Sequence, residues 1–204
     1  MSTTSTRAAR QAGHTESARP AAEAGRHSVW TIALHWASVA AIVVATAAAL
    51  GRDATENAAM RTVLMDVHRQ AGLFVLVALG LRLIVRLTAG MADHAKDLPM
   101  LMRWAALAAH LALYAVLLVL PMLGWAGTNA HGVTMKLFGL LPLPNIVGDD
   151  PDLADELTDY HVWAAWALLG LVIAHAAAAW WHHAVRRDGV LAAMAPWIRR
   201  KHPR

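Results

Sequence analysis

Apolar residues fill four long stretches of the chain, and the segments between them hold most of the charged residues. The stretches cover about residues 29–50, 66–88, 104–126 and 159–184. An α-helix of about 20 predominantly apolar residues crosses the hydrocarbon core of a bilayer. The pattern therefore predicts an all-α membrane protein built as a bundle of four transmembrane helices.

Polar tails are predicted on both sides of a four-helix domain that covers residues 28–190. Residues 1–27 are rich in Ser, Thr, Ala and Arg and have no apolar core, which predicts a disordered tail. Residues 191–204 form a second, basic tail. Residues 133–147 are apolar but too short and too rich in proline to cross the bilayer, so we expect them to lie at its surface.

Composition supports the membrane interpretation and indicates an orientation. Hydrophobic residues make up 57% of the chain and charged residues 16%, where a soluble domain has about 25% charged residues. Basic residues gather at the ends of the apolar stretches, which favours membrane topology over nucleic-acid binding. They are concentrated in both termini and in the linker 89–103, so the positive-inside rule predicts that both termini are cytoplasmic. The chain has no cysteine, which excludes disulfides, iron–sulfur clusters and covalent haem attachment.

Besides His182 and His183 at the end of the fourth span, five histidines lie inside the predicted spans, at two depths. His161 and His175 are 14 residues apart in the fourth span, a spacing that returns to the same helix face after about 21 Å. His68 and His161 fall toward the outer side, whereas His35, His110 and His175 fall toward the cytoplasm. Ionisable residues are costly within a membrane, so this layering indicates a function.

Three kinds of site use histidines in this way. Metal sites in helical bundles usually add carboxylates or thiolates, and the span interiors have neither. A b-type haem takes two neutral imidazoles from facing helices, and the Ala-rich spans with Gly72 and Gly170 leave room for a porphyrin. A relay of protons along the histidines is the third interpretation.

Several short motifs together resemble the bacterial cytochrome b561 family over about residues 28–196. They are Leu34-His35-Trp36, Val67-His68, His110 followed by Leu-Ala-Leu-Tyr114, Phe138 to Pro142, His161, and His175 followed by four alanines, Trp180, Trp181, His182 and His183. The resemblance implies a bundle that encloses two b haems. His68 and His161 would hold the outer haem and His35 and His175 the inner one. A haem held by His35 and His110 is the alternative pairing.

The resemblance also implies an activity and a location. One small member of the family is a superoxide:ubiquinone oxidoreductase, and that activity would make this chain a superoxide oxidase of the bacterial inner membrane. Ubiquinone would be a substrate, and His110, Arg82 and Arg86 are candidate contacts to a haem propionate or to the quinone. His182 and His183 are expected at the membrane interface, without a role as ligands.

Two other functions compete with this one. The chain is an electron-transfer subunit if its electrons come from a partner dehydrogenase, and a transporter or proton channel if its histidines hold no haem. The expected partners are membrane lipid, quinone and superoxide, together with a redox partner protein or a second copy of the chain. Arg61, Arg69 and Lys136 would make an outer mouth attractive to anions, but six carboxylates between residues 149 and 159 oppose it.

Overall fold

The computed structural model describes residues 28–89 and 99–198. Four long helices dominate this part of the chain, and each is long and apolar enough to cross a membrane: α1 (Val29–Ala54), α2 (Ala58–Ala89), α3 (Met100–Ala130) and α4 (Pro151–Trp181). The predicted all-α membrane bundle is confirmed. Residues 1–27 and 199–204, which carry most of the predicted tails, lie outside the described residues.

Helices α2 and α4 begin well before their apolar stretches. The side-chain oxygen of Asn57 accepts a hydrogen bond from the Met60 amide at 3.0 Å, and Asp150 accepts one from the Leu153 amide at 3.1 Å. Both contacts satisfy amides of a first helical turn, and Pro151 fits the first position of α4 because that position needs no donor. The first turns are therefore helical but polar, which a search for apolar stretches does not detect.

The four helices pack as two close pairs around a small apolar core. Helix α1 runs along α2 and α3 runs along α4, with a smaller contact between α2 and α3. Val75, Leu79, Leu117 and Leu168 are buried together, and we call this group the apolar layer. Leu168 lies midway between His161 and His175 in the sequence, so the apolar layer separates the two depths at which those histidines lie.

Large apolar side chains also cover the outside of the bundle. Val43 is 62% exposed, Ile84 57% and Trp166 65%. A soluble protein rarely exposes so much apolar surface, whereas helices in lipid can do so because their backbone groups are bonded internally. The chain is an integral membrane protein.

The loop between α3 and α4 is held by two amide side chains. The buried Asn129 accepts a hydrogen bond from the Ile146 amide at 3.0 Å. Gln70 of α2 donates to the Lys136 carbonyl at 2.7 Å and accepts from the Phe138 amide at 2.9 Å. These contacts fix a hairpin of two short antiparallel strands, β1 (Lys136–Leu137) and β2 (Leu141–Pro142), against α2.

The chain turns back on the bundle after α4. The turn follows a short π-helical segment (His182–Arg186), and Arg187 and Gly189 have φ angles of 55° and 81°. The residues that follow form helix α5 (Val190–Met194) and a 3-10 turn (Pro196–Ile198). The Trp36 indole donates to the Met194 carbonyl at 2.8 Å and its ring centroid lies 5.3 Å from that of Trp197. This C-terminal segment, residues 190–198, therefore packs beside the turn of α1 that carries His35.

Candidate functional site

Two histidines from different helix pairs meet toward the end of the bundle that the charge pattern predicts to be the outer one. His68 of α2 and His161 of α4 have ring centroids 5.8 Å apart with an angle of 71° between their planes. We call them the outer pair. The structure thus brings together two side chains that are 93 residues apart in the sequence.

Each ring of the outer pair is oriented by a backbone carbonyl. His68 Nδ1 lies 2.9 Å from the Ala45 carbonyl oxygen of α1, and His161 Nδ1 lies 2.9 Å from the Leu120 carbonyl oxygen of α3. A carbonyl can only accept, so Nδ1 carries the proton in both rings. In a neutral imidazole this leaves Nε2 with a free lone pair, which is the arrangement that a metal-binding histidine normally has.

A glycine makes the position of His161 sterically accessible. A Cβ atom added at Gly124 of α3 would lie 3.1 Å from His161 Cε1 and 3.3 Å from Nδ1. At Gly72 of α2 the same atom would meet nothing within 4 Å, so open space remains on that side. Sequence reasoning noted Gly72 and missed Gly124. The only signal for Gly124 was a glycine in a helix interior, which costs roughly 0.5–1 kcal/mol relative to alanine.

The outer pair borders a cavity of about 540 Å³, a volume typical of ligand and cofactor sites. Arg52, Arg61 and Arg69 line it, together with His131. Arg61 and Arg69 belong to the mouth expected from the sequence, Lys136 is not among the lining residues, and Arg52 was missed. The cavity is therefore cationic.

Two buried donors near the outer pair lack partners in the described part of the chain. They are Arg69 Nε and Trp125 Nε1. The Arg69 guanidinium also contacts Asp66 through Nη1 at 3.3 Å. Buried donors are nearly always bonded in folded proteins, so these two suit a ligand that carries acceptor oxygens.

Three histidines gather toward the opposite end of the bundle, the predicted inner end. The His175 ring lies near two others, that of His35 at a centroid distance of 6.3 Å and that of His110 at 5.6 Å. His110 Nδ1 lies 2.7 Å from the Ala106 carbonyl oxygen of its own helix. His175 of α4 is thus common to two pairs, one with His35 and one with His110.

The two predicted arginines of α2 lie near this inner end. Arg82 donates from Nη2 to the Leu34 carbonyl at 2.7 Å, one residue before His35, and its Nε is buried without a partner. Arg86 donates from Nη1 to the Tyr114 hydroxyl at 3.3 Å, and its guanidinium carbon lies 5.8 Å from the centre of that ring. Arg82 is therefore tied to the α1 turn of His35, and Arg86 to α3.

The two histidines expected at the membrane interface and the acidic residues of the last loop lie at opposite ends of α4. His182 contacts Asp188 within the C-terminal turn, and the His183 ring lies 6.0 Å from that of Trp180. Asp188 is also 3.2 Å from Arg186. At the other end of α4, the carboxylates of the first turns are exposed at Asp152, Asp155, Glu156 and Asp159.

The residues of both ends fit a haem between two imidazoles. Metal–imidazole bonds of about 2 Å, with roughly 1 Å from each nitrogen to its ring centre, put two axial rings about 6 Å apart. The observed centroid distances are 5.8 Å for the outer pair and 6.3 Å for His35 and His175. Within residues 28–89 and 99–198, no three His, Asp or Glu side chains converge as ligands of a bare metal ion. The donor set therefore suits a bis-imidazole haem better than a bare-metal site.

Comparison with known proteins gives consistent matches over most of the chain. The chain is 28% identical to cytochrome b561 homolog 2 of Escherichia coli (strain K12) over 177 residues, which are 83% of this chain and 90% of that protein. It is 30% identical to cytochrome b561 homolog 1 of the same organism over 174 residues, 84% of this chain and 97% of that one. A probable superoxide oxidase CybB of Yersinia pestis is 27% identical over 172 residues, again 84% of this chain and 96% of that protein.

The sequence profile described as prokaryotic cytochrome b561 matches residues 26–197, which include all four helices and the C-terminal segment. A family of this kind implies b-type haem and oxidoreductase chemistry. The chain belongs to the prokaryotic cytochrome b561 family of membrane electron-transfer proteins.

Proposed function

We propose that the chain binds two b haems and passes single electrons between the two sides of the membrane. His68 and His161 hold the outer haem, and His35 and His175 hold the inner haem. His110 lies beside the inner haem without ligating it, and Arg82 and Arg86 are contacts to a propionate or to quinone. The four-helix domain covers residues 28–190, the tails are residues 1–27 and 191–204, and both termini lie in the cytoplasm of a bacterium, with the bundle in its inner membrane.

One observation carries this proposal. Helix α4 presents two histidines 14 residues apart, and each meets a histidine from a different helix, His68 from α2 and His35 from α1. Two such pairs at two depths are what electron transfer through a bilayer needs. A relay of protons would need donors between the pairs, where the described residues form the apolar layer instead.

The residues of the chain then have distinct tasks. Bound haem supplies reversible one-electron transfer. The carbonyls of Ala45 and Leu120 hold the rings of the outer pair with Nε2 available, and Gly124 keeps the space that His161 occupies. The arginines of the outer cavity attract anions to that end of the bundle.

We further propose that superoxide is the donor on the outer side and ubiquinone the acceptor. Two superoxide anions would leave as two molecules of dioxygen, and one ubiquinone would take the two electrons together with two protons to give ubiquinol. The cationic outer cavity and the similarity to a probable superoxide oxidase support this reaction.

Spectroscopy and haem analysis test the haem sites. The purified protein, expressed with ample haem supply, should show a reduced-minus-oxidised spectrum of b type and two haems per chain. Variants His68→Ala and His161→Ala should each lose one haem and keep the other. A colourless protein, or one haem in the parent, would refute the two-haem arrangement.

An anaerobic reaction tests the donor. Potassium superoxide added to the oxidised protein should reduce its haems, and superoxide dismutase added beforehand should abolish the reduction. Adding ubiquinone should then restore the oxidised spectrum. If the haems stay oxidised in the presence of superoxide, the donor is another molecule.

One feature favours a second candidate, an electron-transfer subunit for a partner dehydrogenase. The first turns of α4 expose carboxylates at Asp152, Asp155, Glu156 and Asp159 on the same side as the outer cavity. This surface repels superoxide but suits a partner protein with a basic face. If the chain is such a subunit, superoxide does not reduce the haems. A partner protein reduces them instead, and its binding weakens as the salt concentration rises.

A further inference from the structure

Helix α2 carries the same spacing as α4, but with a different second residue. His68 and Arg82 are 14 residues apart, as are His161 and His175. At about 100° per residue, this spacing places both side chains on nearly the same face of the helix, about 21 Å apart along its axis. Helix α2 thus gives a histidine to the outer pair and an arginine to the inner end.

The positive charge of Arg82 has little to balance it. The guanidinium donates to the Leu34 carbonyl, and its Nε is buried with no hydrogen-bond partner in the described part of the chain. No ion pair is formed by Arg82 with a carboxylate among residues 28–89 and 99–198, where the interiors of the apolar stretches lack acidic residues. An arginine stays protonated in proteins, so the charge persists.

The arginine beside the outer pair, Arg69, exerts a weaker electrostatic field than Arg82. Arg69 follows His68 directly, but its guanidinium contacts Asp66 at 3.3 Å and lines a cavity that is open to solvent. A carboxylate neighbour and water both reduce the field of a charge. The outer cavity holds Arg52, Arg61 and Arg69 but is open to solvent, whereas Arg82 is partly buried, so solvent screens the charge of Arg82 less than theirs.

We propose that Arg82 raises the reduction potential of the inner haem and so favours the arrival of an electron there. The inference rests on the proposed two-haem function. Reduction adds one electron to a site, and a nearby positive charge in a poorly polarisable environment stabilises the site after it has gained that electron. The electron that the inner site gains is the one that the outer site loses, so no other reactant is needed.

The expected size of the effect is roughly tenfold in the ratio of reduced to oxidised inner haem. Charges about 10 Å apart at an effective dielectric constant of about 20 shift an equilibrium by that order. For a one-electron couple, a tenfold change corresponds to 59 mV. The shift is largest at the inner haem, since the outer pair lies about 21 Å away along α2, where the same estimate gives less than about fourfold.

Redox titration of the purified protein tests the proposal. The haem spectrum is followed as the ambient potential is stepped, and the inner wave is identified with His68→Ala, which lacks the outer haem. Arg82→Gln should lower the potential of the inner haem, so that its ratio of reduced to oxidised form falls about tenfold at a fixed ambient potential. The outer wave should shift by less than about fourfold. Arg82→Lys should keep the parent value because it keeps the charge.

The outcomes separate this proposal from the one on which it rests. A parent protein without two haems refutes the two-haem function. Two haems whose potentials do not change in Arg82→Gln refute the role of Arg82. An equal shift in Arg82→Lys and Arg82→Gln would show that Arg82 acts through its hydrogen bond to Leu34 and would also overturn the proposal. If Arg82→Gln loses the inner haem, the titration of Arg82→Lys becomes the test. A change of more than about threefold in the redox ratio of its inner haem would overturn the role of the Arg82 charge.

Discussion

Replacing Gly124 by alanine should remove the outer haem and leave the inner haem in place. The added methyl group would lie 3.1 Å from His161 Cε1 and 3.3 Å from Nδ1. Carbon atoms in optimal contact are about 3.5–4.0 Å apart, so the ring must move by about 0.4 Å or more. That movement strains the hydrogen bond between Nδ1 and the Leu120 carbonyl, which is 2.9 Å long.

The size of the effect follows from the cost of overpacking. Adding a methyl group to a tightly packed interior typically costs about 1–3 kcal/mol. If that cost falls on the haem-bound form, outer-haem affinity drops by roughly 5- to 150-fold, since about 1.4 kcal/mol is a factor of ten. Helix α3 itself should not suffer, because alanine is the better helix former.

Haem analysis of matched variants provides the assay. Gly170→Ala is the control. The sequence suggested that Gly170 leaves room for a porphyrin, but the residue is exposed, a Cβ there would meet nothing within 4 Å, and nine residues place it half a turn from the face of His161. The control should retain two haems per chain, and Gly124→Ala about one. Two haems with parental spectra in Gly124→Ala would refute the reasoning, and so would loss of both haems with an unchanged helical content.

Further predictions address other parts of the molecule. His110→Ala should retain two haems per chain by pyridine haemochrome analysis, because His35 and His175 suffice for the inner site; loss of one haem would establish the alternative pairing. Arg61→Glu should slow reduction by superoxide several-fold at low ionic strength and not in 1 M salt, where the Debye length is about 3 Å, and equal slowing at both salts would contradict steering. Gln70→Ala should expose the hairpin to limited proteolysis, since it leaves the Lys136 carbonyl and the Phe138 amide without their side-chain partner; cleavage no faster than in the parent would show that the loop is held otherwise. Partial burial alone would raise the pKa of Asp188, but the hydrogen bond with His182, the Val190 amide and the charges of His182 and Arg186 outweigh it and hold this pKa below its usual 3.8. The stabilisation of the C-terminal turn by Asp188 is therefore complete above that value and lost as the pH falls below it. Tryptophan fluorescence should report release of the C-terminal segment in acid for the parent and already at neutral pH for Asp188→Asn, and identical profiles would contradict this.

Helical periodicity accounts for the part of the site that the sequence predicted. The spacing of His161 and His175 fixes one face of one helix, and the order of the spans fixes the depth of the other histidines. Depth alone predicted that His68 would face His161. It left a pairing of His35 with His110 open as the alternative, because both lie early in outward-running spans, and the structure places both rings near His175.

The features that the sequence did not reveal depend on contacts between distant segments. The need for a glycine at position 124 arises from a ring that reaches it from α4, and no pattern within α3 indicates that. The attachment of the C-terminal segment depends on one indole hydrogen bond, from Trp36 to a backbone carbonyl that any residue could supply. The early start of α4 depends on Asp150 and Pro151, whose capping signal stands outside the apolar stretch.

The apolar layer has a consequence for the energetics of turnover. Val75, Leu79, Leu117 and Leu168 offer no group that can carry a proton, so an electron that crosses this layer moves without a compensating positive charge. Under the proposed function each such crossing is electrogenic and displaces negative charge toward the cytoplasm. A full crossing against a membrane potential of 100 mV, negative inside, costs about 2.3 kcal/mol per charge, and a partial crossing costs a corresponding fraction. Respiring cells would therefore oppose the inward flow of electrons, and dissipating their membrane potential would accelerate it.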